Sequence, residues 1–236
     1  MTSEQVYLEL AVSLLLILTL IYGSLWDVKK REISSYLFIP VIVLALITGL
    51  ILHGFVVISI LSVIIFSLQF LAYDRRKYII AIVPAIVIGS VALYYLEPGM
   101  LIPWGFEALF SLMVIGEVLF GVGDVKAIIA ILFSTVPFSF ALFGGDLLLP
   151  FSFMFFINLG IVSIIATFYG IYATGKVTGT YGLSGTVKKG TDVDAVRFYT
   201  WDMGDRLKLR YKIPFVEFIL FATLATLIAL KFNLPL

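Results

Sequence analysis

Eight apolar stretches divide this chain, at Val6–Leu25, Ser34–Leu52, Phe55–Tyr73, Tyr78–Leu96, Met100–Phe120, Val125–Phe143, Leu149–Ala173 and Pro214–Leu230. Each approaches the ~20 apolar residues that an α-helix needs to cross a bilayer. In hydrocarbon every backbone N–H and C=O must be satisfied within the protein, so stretches of this kind fold as spanning helices. The expected fold is therefore all-α: a polytopic membrane helix bundle of about eight transmembrane helices, one membrane domain over residues 1–236. A mean hydropathy of +1.12 with 13% charged residues agrees, because soluble domains are about one-quarter charged.

Charge and turn residues separate the stretches at Asp27 to Glu32, Asp74-Arg75-Arg76-Lys77, Glu97-Pro98-Gly99, Gly121 to Asp124 and Gly144-Gly145-Asp146. His53-Gly54 leaves room only for a tight hairpin. No Lys or Arg precedes the first stretch, and its apolar core is too long for a cleaved leader, so a retained span with its N-terminus outside is expected. Alternating eight crossings gathers 15 of the 16 basic residues on one face: Lys29-Lys30-Arg31, Arg75-Arg76-Lys77, Lys126 and the eight between Lys176 and Lys212. Only Lys231 falls opposite. Retained Lys and Arg mark the cytoplasmic side, so the expected localisation is the cytoplasmic membrane, multi-pass, with both termini extracytoplasmic.

The chemistry open to such a chain is narrow. Cysteine is absent and His53 is the single histidine, which excludes disulfides, thiolate metal sites and multi-histidine metal sites. A Ser-His-Asp triad would have to use His53, which the topology puts across the membrane from the acids below. Carboxylates, hydroxyls and lysines remain, with no metal or cofactor expected, and a net charge of +1 gives no sign of a nucleic-acid partner.

Two acids stand at the edges of apolar stretches on the same expected side: Asp27, in Trp26-Asp27-Val28-Lys29-Lys30-Arg31-Glu32-Ile33, and Asp124, in Gly121-Val122-Gly123-Asp124-Val125-Lys126. A carboxylate near hydrocarbon is costly, so two delivered to one depth suggest a catalytic or ion-handling pair. Each also has a plain reading: Asp27 as a solvated juxtamembrane charge beside Lys29, Lys30 and Arg31, and Asp124 as part of an ordinary turn. Gly121 and Gly123 mark a place where the backbone turns tightly or is closely approached. The turn has neither the spacing of a Walker loop nor the third glycine of a Rossmann turn, so it is read as presenting a carboxylate rather than holding phosphate.

The Asp27 to Ile33 segment after the first span, together with Gly121-x-Gly123-Asp124 followed by Lys126, resembles the archaeal type IV prepilin and preflagellin peptidases, membrane aspartic proteases of the Gly-x-Gly-Asp class. Ile213-Pro214-Phe215 at the last span resembles the family's proline there. The resemblance implies an endopeptidase that cleaves the basic leader from type IV pilin-like or archaellin precursors at the cytoplasmic membrane border. It implies Asp27 and Asp124 as the catalytic dyad, with Gly121, Gly123 and Lys126 supporting the motif, and no cofactor. Two departures stand out. Four spans separate the acids here, against two in the short archaeal enzymes, and the tetra-cysteine segment of the eight-span bacterial enzymes is missing, so their N-methylation activity is not expected. The signal-peptide-peptidase and presenilin branch pairs Gly-x-Gly-Asp with Tyr-Asp and Pro-Ala-Leu; here Trp26 precedes Asp27 and no Pro-Ala-Leu occurs.

The polar stretch 174–212 is read as a cytoplasmic loop held to anionic lipid by its basic residues, or a small cap over the dyad between spans 7 and 8. Val196 to Leu209 mixes aromatic, apolar and charged residues and suits docking at headgroup level. Glu32, Asp74, Asp192 and Asp194 are candidate readers of a basic leader. Glu9, Gln69, Glu107, Asn158 and Glu217 are expected to pair between helices or reach an interface, and Glu117, two turns before Asp124, to tune the dyad. Expected partners are thus precursor proteins and membrane lipid, with the oligomeric state open. The rival class is a proton- or cation-coupled transporter using Asp27 and Asp124, although such sites usually lie at the midplane of interrupted helices.

Overall fold

A computed structural model describes residues 3–30, 33–116, 122–143 and 151–232. It is mostly helical, at 77% helix. Among the described residues eight α-helices lie in the eight apolar stretches: α1 Ser3–Lys30, α2 Ile39–Thr48, α3 Val56–Leu68, α4 Arg75–Leu96, α5 Leu101–Gly116, α6 Val122–Phe143, α7 Phe151–Thr178 and α8 Phe215–Phe232. The expectation of eight spanning helices is met only in part. Among the described residues four helical segments are long and apolar enough to cross a membrane: Ala11–Lys30, Arg75–Leu96, Pro98–Ile115 and Phe151–Thr178. Tyr36–Ile51, Val56–Leu71 and Phe215–Ile228 are shorter. These shorter lengths already include tighter or wider turns that replace regular α-helix at the ends of the second and third stretches.

Those turns follow from the residues. A 3-10 turn, Ser35–Phe38, leads into α2, whose first turn holds Pro40, tolerated where an N–H has no helical acceptor. A π turn, Gly49–His53, widens the end of α2, and Gly54, at φ +65°, closes the hairpin in a left-handed conformation that favours glycine. Another 3-10 turn, Gln69–Leu71, extends α3. Acidic side chains then satisfy the N–H groups that helix starts leave open. Asp74 accepts from the Lys77 N–H at 3.2 Å at the start of α4, and Glu97 accepts from Val57 and Ile58 N–H at 2.8 and 3.0 Å at the start of α3.

The expected loop at 174–212 is largely structured. Its first residues continue α7 to Thr178, and the rest contains a three-stranded antiparallel sheet in the order β1-β3-β2, with β1 Gly185–Lys188, β2 Phe198–Asp202 and β3 Arg206–Tyr211. Leu209, Phe198 and Tyr211 are buried in a small cluster with Ala173 of α7 and Ile213. The fold is nonetheless mostly helical, as an all-α class requires, with this small sheet added to it. β3 alternates charged and apolar residues, which buries one face and solvates the other.

The helical core has two seams. α1, α6 and α8 pack on one another, and α7 packs along α8, where Asn158 donates to Thr226 Oγ1 at 2.9 Å. α3, α4 and α5 form the second, with α3 also against α6. Buried Gln69 donates to Ser111 Oγ at 3.1 Å, and the Tyr78 hydroxyl lies 3.0 Å from Gln69 Oε1 and 2.9 Å from the Ser111 carbonyl. Ser62 donates to Glu107 at 3.0 Å. Gln69 and Asn158 thus pair between helices as expected of intramembrane polar groups.

Candidate functional site at the ends of α1, α6 and α8

Asp27 does not sit at a solvated helix end. α1 continues to Lys30, so Asp27 lies within its last turns and is only 6% exposed. Its Oδ2 accepts the backbone N–H of Val216 at 3.1 Å. Val216 is the second residue of α8, so the carboxylate of one helix satisfies a first-turn donor of another and adds negative charge where the helix dipole favours it. Pro214 immediately precedes α8 and has no N–H of its own to satisfy. Gly23, one turn before Asp27, lets the elements approach: a Cβ there would lie 3.5 Å from Val216 and 3.2 Å from Leu37.

Asp124 is in the first turn of α6 and half-buried. α6 begins at Val122, so Gly123 is a helical residue rather than part of the tight turn expected from Gly-x-Gly-Asp; the apolar, helix-compatible run simply starts three residues early. Gly121 lies outside the described residues, as do Glu32 and Glu117. Lys126 corrects the charge census, because it is a core residue, 0% exposed, with its ammonium 3.7 Å from the centroid of the Phe70 ring. Phe70 in turn meets Tyr36 at 5.7 Å between ring centroids. The contacts from the turn after α1, through the end of α3, to the start of α6 put these termini at one end of the bundle. Four helices separate Asp27 from Asp124 in sequence, yet α1 and α6 are neighbours and both touch α8.

The candidate leader-reading acids are not gathered into one cluster. Asp74 caps α4 and pairs with Lys77 at 3.1 Å, and that ammonium with the Lys77 N–H holds its carboxyl below the usual range. Asp192 and Asp194 lie in the β1–β2 connection, both exposed. Asp194 is committed to Arg197 at 3.3 Å and to the Val196 N–H at 2.9 Å. Among the described residues no group of three or more His, Asp or Glu side chains could hold a metal ion.

Glu107 pairs between helices as expected, and the sequence did not reveal that one of its oxygens is buried without a partner. It is 0% exposed, its Oε1 accepts from Ser62, and its Oε2 has no hydrogen-bond partner. Its helical spacing from Ser111, one turn on along α5, was a signal for a polar seam facing α3. The chain matches no family model, no curated protein and no solved structure, so what the site can do rests on its own residues.

Proposed function

We propose that this chain is a membrane aspartic endopeptidase that removes the basic leader from type IV pilin-like or archaellin precursors, with Asp27 and Asp124 as its dyad. The observation that carries the reading is the buried carboxylate of Asp27, held by the start of α8 on a helix that packs against the Asp124-bearing helix. A buried carboxylate needs compensation, and one on a helix packed against a helix that carries a second acid at the same end of the bundle is a candidate for chemistry.

The topology in this reading has eight crossings. α6 and the shorter α2, α3 and α8 join the four long segments, with the 3-10 and π turns extending α2 and α3. The sheet and the Asp27 and Asp124 ends then face the cytoplasm, and both termini face out. The distribution of Lys and Arg supports this sidedness.

Two neighbouring carboxyls do not both ionise easily, so one retains a proton. The ionised member takes a proton from water as the water oxygen attacks the scissile carbonyl carbon, and the protonated member hydrogen-bonds the carbonyl oxygen. The tetrahedral intermediate collapses, the C–N bond breaks, and the leaving amine takes up a proton from the dyad. The Val216 N–H orients the Asp27 carboxyl throughout.

The test is to incubate detergent-solubilised wild type, Asp27→Asn and Asp124→Asn with pilin-like precursors. Wild type cleaves and both variants do not. A wild type inactive toward several precursors, or full cleavage by either variant, overturns the proposal. A proton- or cation-coupled transporter is the second reading, favoured by the unpartnered Oε2 of buried Glu107. Ion flux in proteoliposomes that is lost in Glu107→Gln while precursor cleavage is absent would decide for it.

A further inference from the structure

We propose that the outer face of the three-stranded sheet docks on the anionic headgroups of the bilayer that surrounds α7 and α8. The pairing register sorts the side chains. Leu209 lies abreast of Gly185 and Thr200, and Tyr211 abreast of Phe198, on the side turned to α7. The alternate positions make the other face: Lys208 between Thr186 and Trp201, Arg206 beside Lys188, and Arg210 beside Tyr199. All of these are exposed.

This face carries four cations and no carboxylate. Asp202 falls at the opposite set of positions and pairs with Lys189 at 2.6 Å, and Asp194 pairs with Arg197. None of Lys188, Arg206, Lys208 and Arg210 has an ion-pair partner among the described residues. Lys188 and Arg206 are direct cross-strand partners, and Arg206, Lys208 and Arg210 recur at every second position of β3. Like charges placed opposite one another destabilise a sheet. Lysines also guard exposed sheet edges against aggregation, yet three of these four cations stand on the central strand. An anionic surface turns the mutual repulsion into attraction.

The position of the sheet selects lipid as that surface. α7 has 28 residues, which at 1.5 Å per residue gives about 42 Å, roughly 12 Å more than the hydrocarbon core. The α7 residues that meet the sheet, Tyr169, Ala173 and Thr174, belong to its last three turns. After β3 only Lys212 to Pro214 precede α8. The sheet is therefore tethered at headgroup depth by the end of α7, and the short link to α8 keeps it beside the bundle. Tyr199 and Trp201, with ring centroids 6.0 Å apart, stand among the cations, and Lys212 lies 5.0 Å over the Tyr199 ring. Amphipathic rings interleaved with Lys and Arg suit the lipid interface, where the rings settle between headgroups and the cations meet phosphate. An acidic protein segment would satisfy the charge but not account for exposed aromatics at that depth. The inference requires only that α7 crosses the bilayer, and it stands or falls separately from the peptidase reading.

Tryptophan quenching tests it on the full chain in vesicles of phosphatidylcholine with phosphatidylglycerol, one or the other brominated. The Trp201 signal is the difference between the native chain and Trp201→Phe. Brominated phosphatidylglycerol is expected to quench Trp201 beyond its share of the bilayer, and salt should weaken the preference. Each cation near an anionic surface contributes about fivefold, so Arg206→Gln with Arg210→Gln should reduce the preference about 25-fold. Lys208→Arg, which keeps the charge, should retain it and serves as the folding control. Equal quenching by both lipids, or an undiminished preference in the folded double variant, overturns the proposal. So does a Trp201 that neither lipid quenches but an added acidic peptide perturbs, which would give the face to a protein partner.

Discussion

Replacing Asp27 with alanine and with asparagine separates what this carboxylate does for the fold from what it does for the reaction. Asp27 accepts the Val216 N–H at 3.1 Å, and Val216 is 0% exposed, so no water stands ready to replace the lost acceptor. Removing an N-terminal acceptor costs about 0.5–2 kcal/mol, and a buried N–H left without a partner costs about 1–3 kcal/mol. Both figures describe the same lost bond, so Asp27→Ala should cost about 2 kcal/mol, a melting shift of roughly 4–8 °C for a chain of this size. Asparagine keeps an oxygen in the acceptor position for the Val216 N–H and gives up a negative charge at the start of α8, which is worth about 0.3–1 kcal/mol. On the peptidase reading that same substitution removes a group that must take and give a proton, and cleavage should fall by about 10⁴-fold or more. Asp27→Asn should therefore be nearly as stable as wild type and inactive, while Asp27→Ala is both inactive and less stable. Thermal melting by intrinsic fluorescence in detergent, and gel analysis of a pilin-like precursor, read the two quantities. An alanine variant that melts with wild type refutes the helix-start role, and an asparagine variant with measurable cleavage refutes the catalytic one.

Tyr78→Phe removes the hydroxyl between Gln69 Oε1 and the Ser111 carbonyl, leaving buried acceptors unsatisfied, and should cost about 1–3 kcal/mol in equilibrium unfolding. Ser62→Ala should destabilise by a similar mechanism, because it strips buried Glu107 of its hydrogen-bond donor, and Ser62→Thr should restore much of the loss. Gly89→Ala would drive a Cβ into the indole of Trp104, which is buried and tied to Ser90 at 3.0 Å; overpacking of this kind costs about 1–3 kcal/mol, read as a lowered melting temperature. The hydrogen bond from Lys189 holds the Asp202 carboxyl below its usual range, so the stabilisation it gives β2 is full above the ordinary carboxylate pKa and is lost as pH falls through the lowered one. The protection of β2 amides, taken as exchange relative to the intrinsic rate at each pH, should therefore fall on acidification in wild type, and much less so in Asp202→Asn.

The apolar stretches and their punctuation were legible because lipid and backbone chemistry impose them at every position of a span. The hairpin at His53-Gly54 was legible for the same reason: only glycine takes the left-handed φ there cheaply. The burial of Asp27 was not, since its neighbours Lys29 and Lys30 advertise a solvated helix end, whereas its partner Val216 lies 189 residues away. The sheet was missed although a signal existed. Arg206-Leu207-Lys208-Leu209-Arg210-Tyr211 alternates with period two, but the strands are short and the surrounding mixture of aromatic and charged residues suggested a loop or small cap at headgroup level. The reduced length of α2 and α3 was hidden because hydropathy records composition and not whether the last turns are α, 3-10 or π. Lys126 was counted with the solvated cations for a similar reason: a charge beside a glycine turn reads as surface until the ring of Phe70 covers it.

The four helices between Asp27 and Asp124 bear on whether one site is feasible at all, and the packing gives them a physical role. Helix α6 could return anywhere on the bundle after so long an excursion, and loop closure alone would leave its start poorly fixed. Instead the excursion is tied at both ends. At one end Glu97 satisfies the first turn of α3, and at the other Gln69, Tyr78 and Ser111 lock α3, α4 and α5 together. Phe70 extends from that lock to cover Lys126, two residues beyond Asp124, while its ring also meets Tyr36 in the turn that follows α1. A buried polar lock permits few arrangements, because every alternative leaves a donor or acceptor unsatisfied in an apolar interior. The hydrogen bonds that lock α3, α4 and α5 thus help to hold the Asp124 helix against the Asp27 helix, and the inserted helices work as a brace for the candidate site.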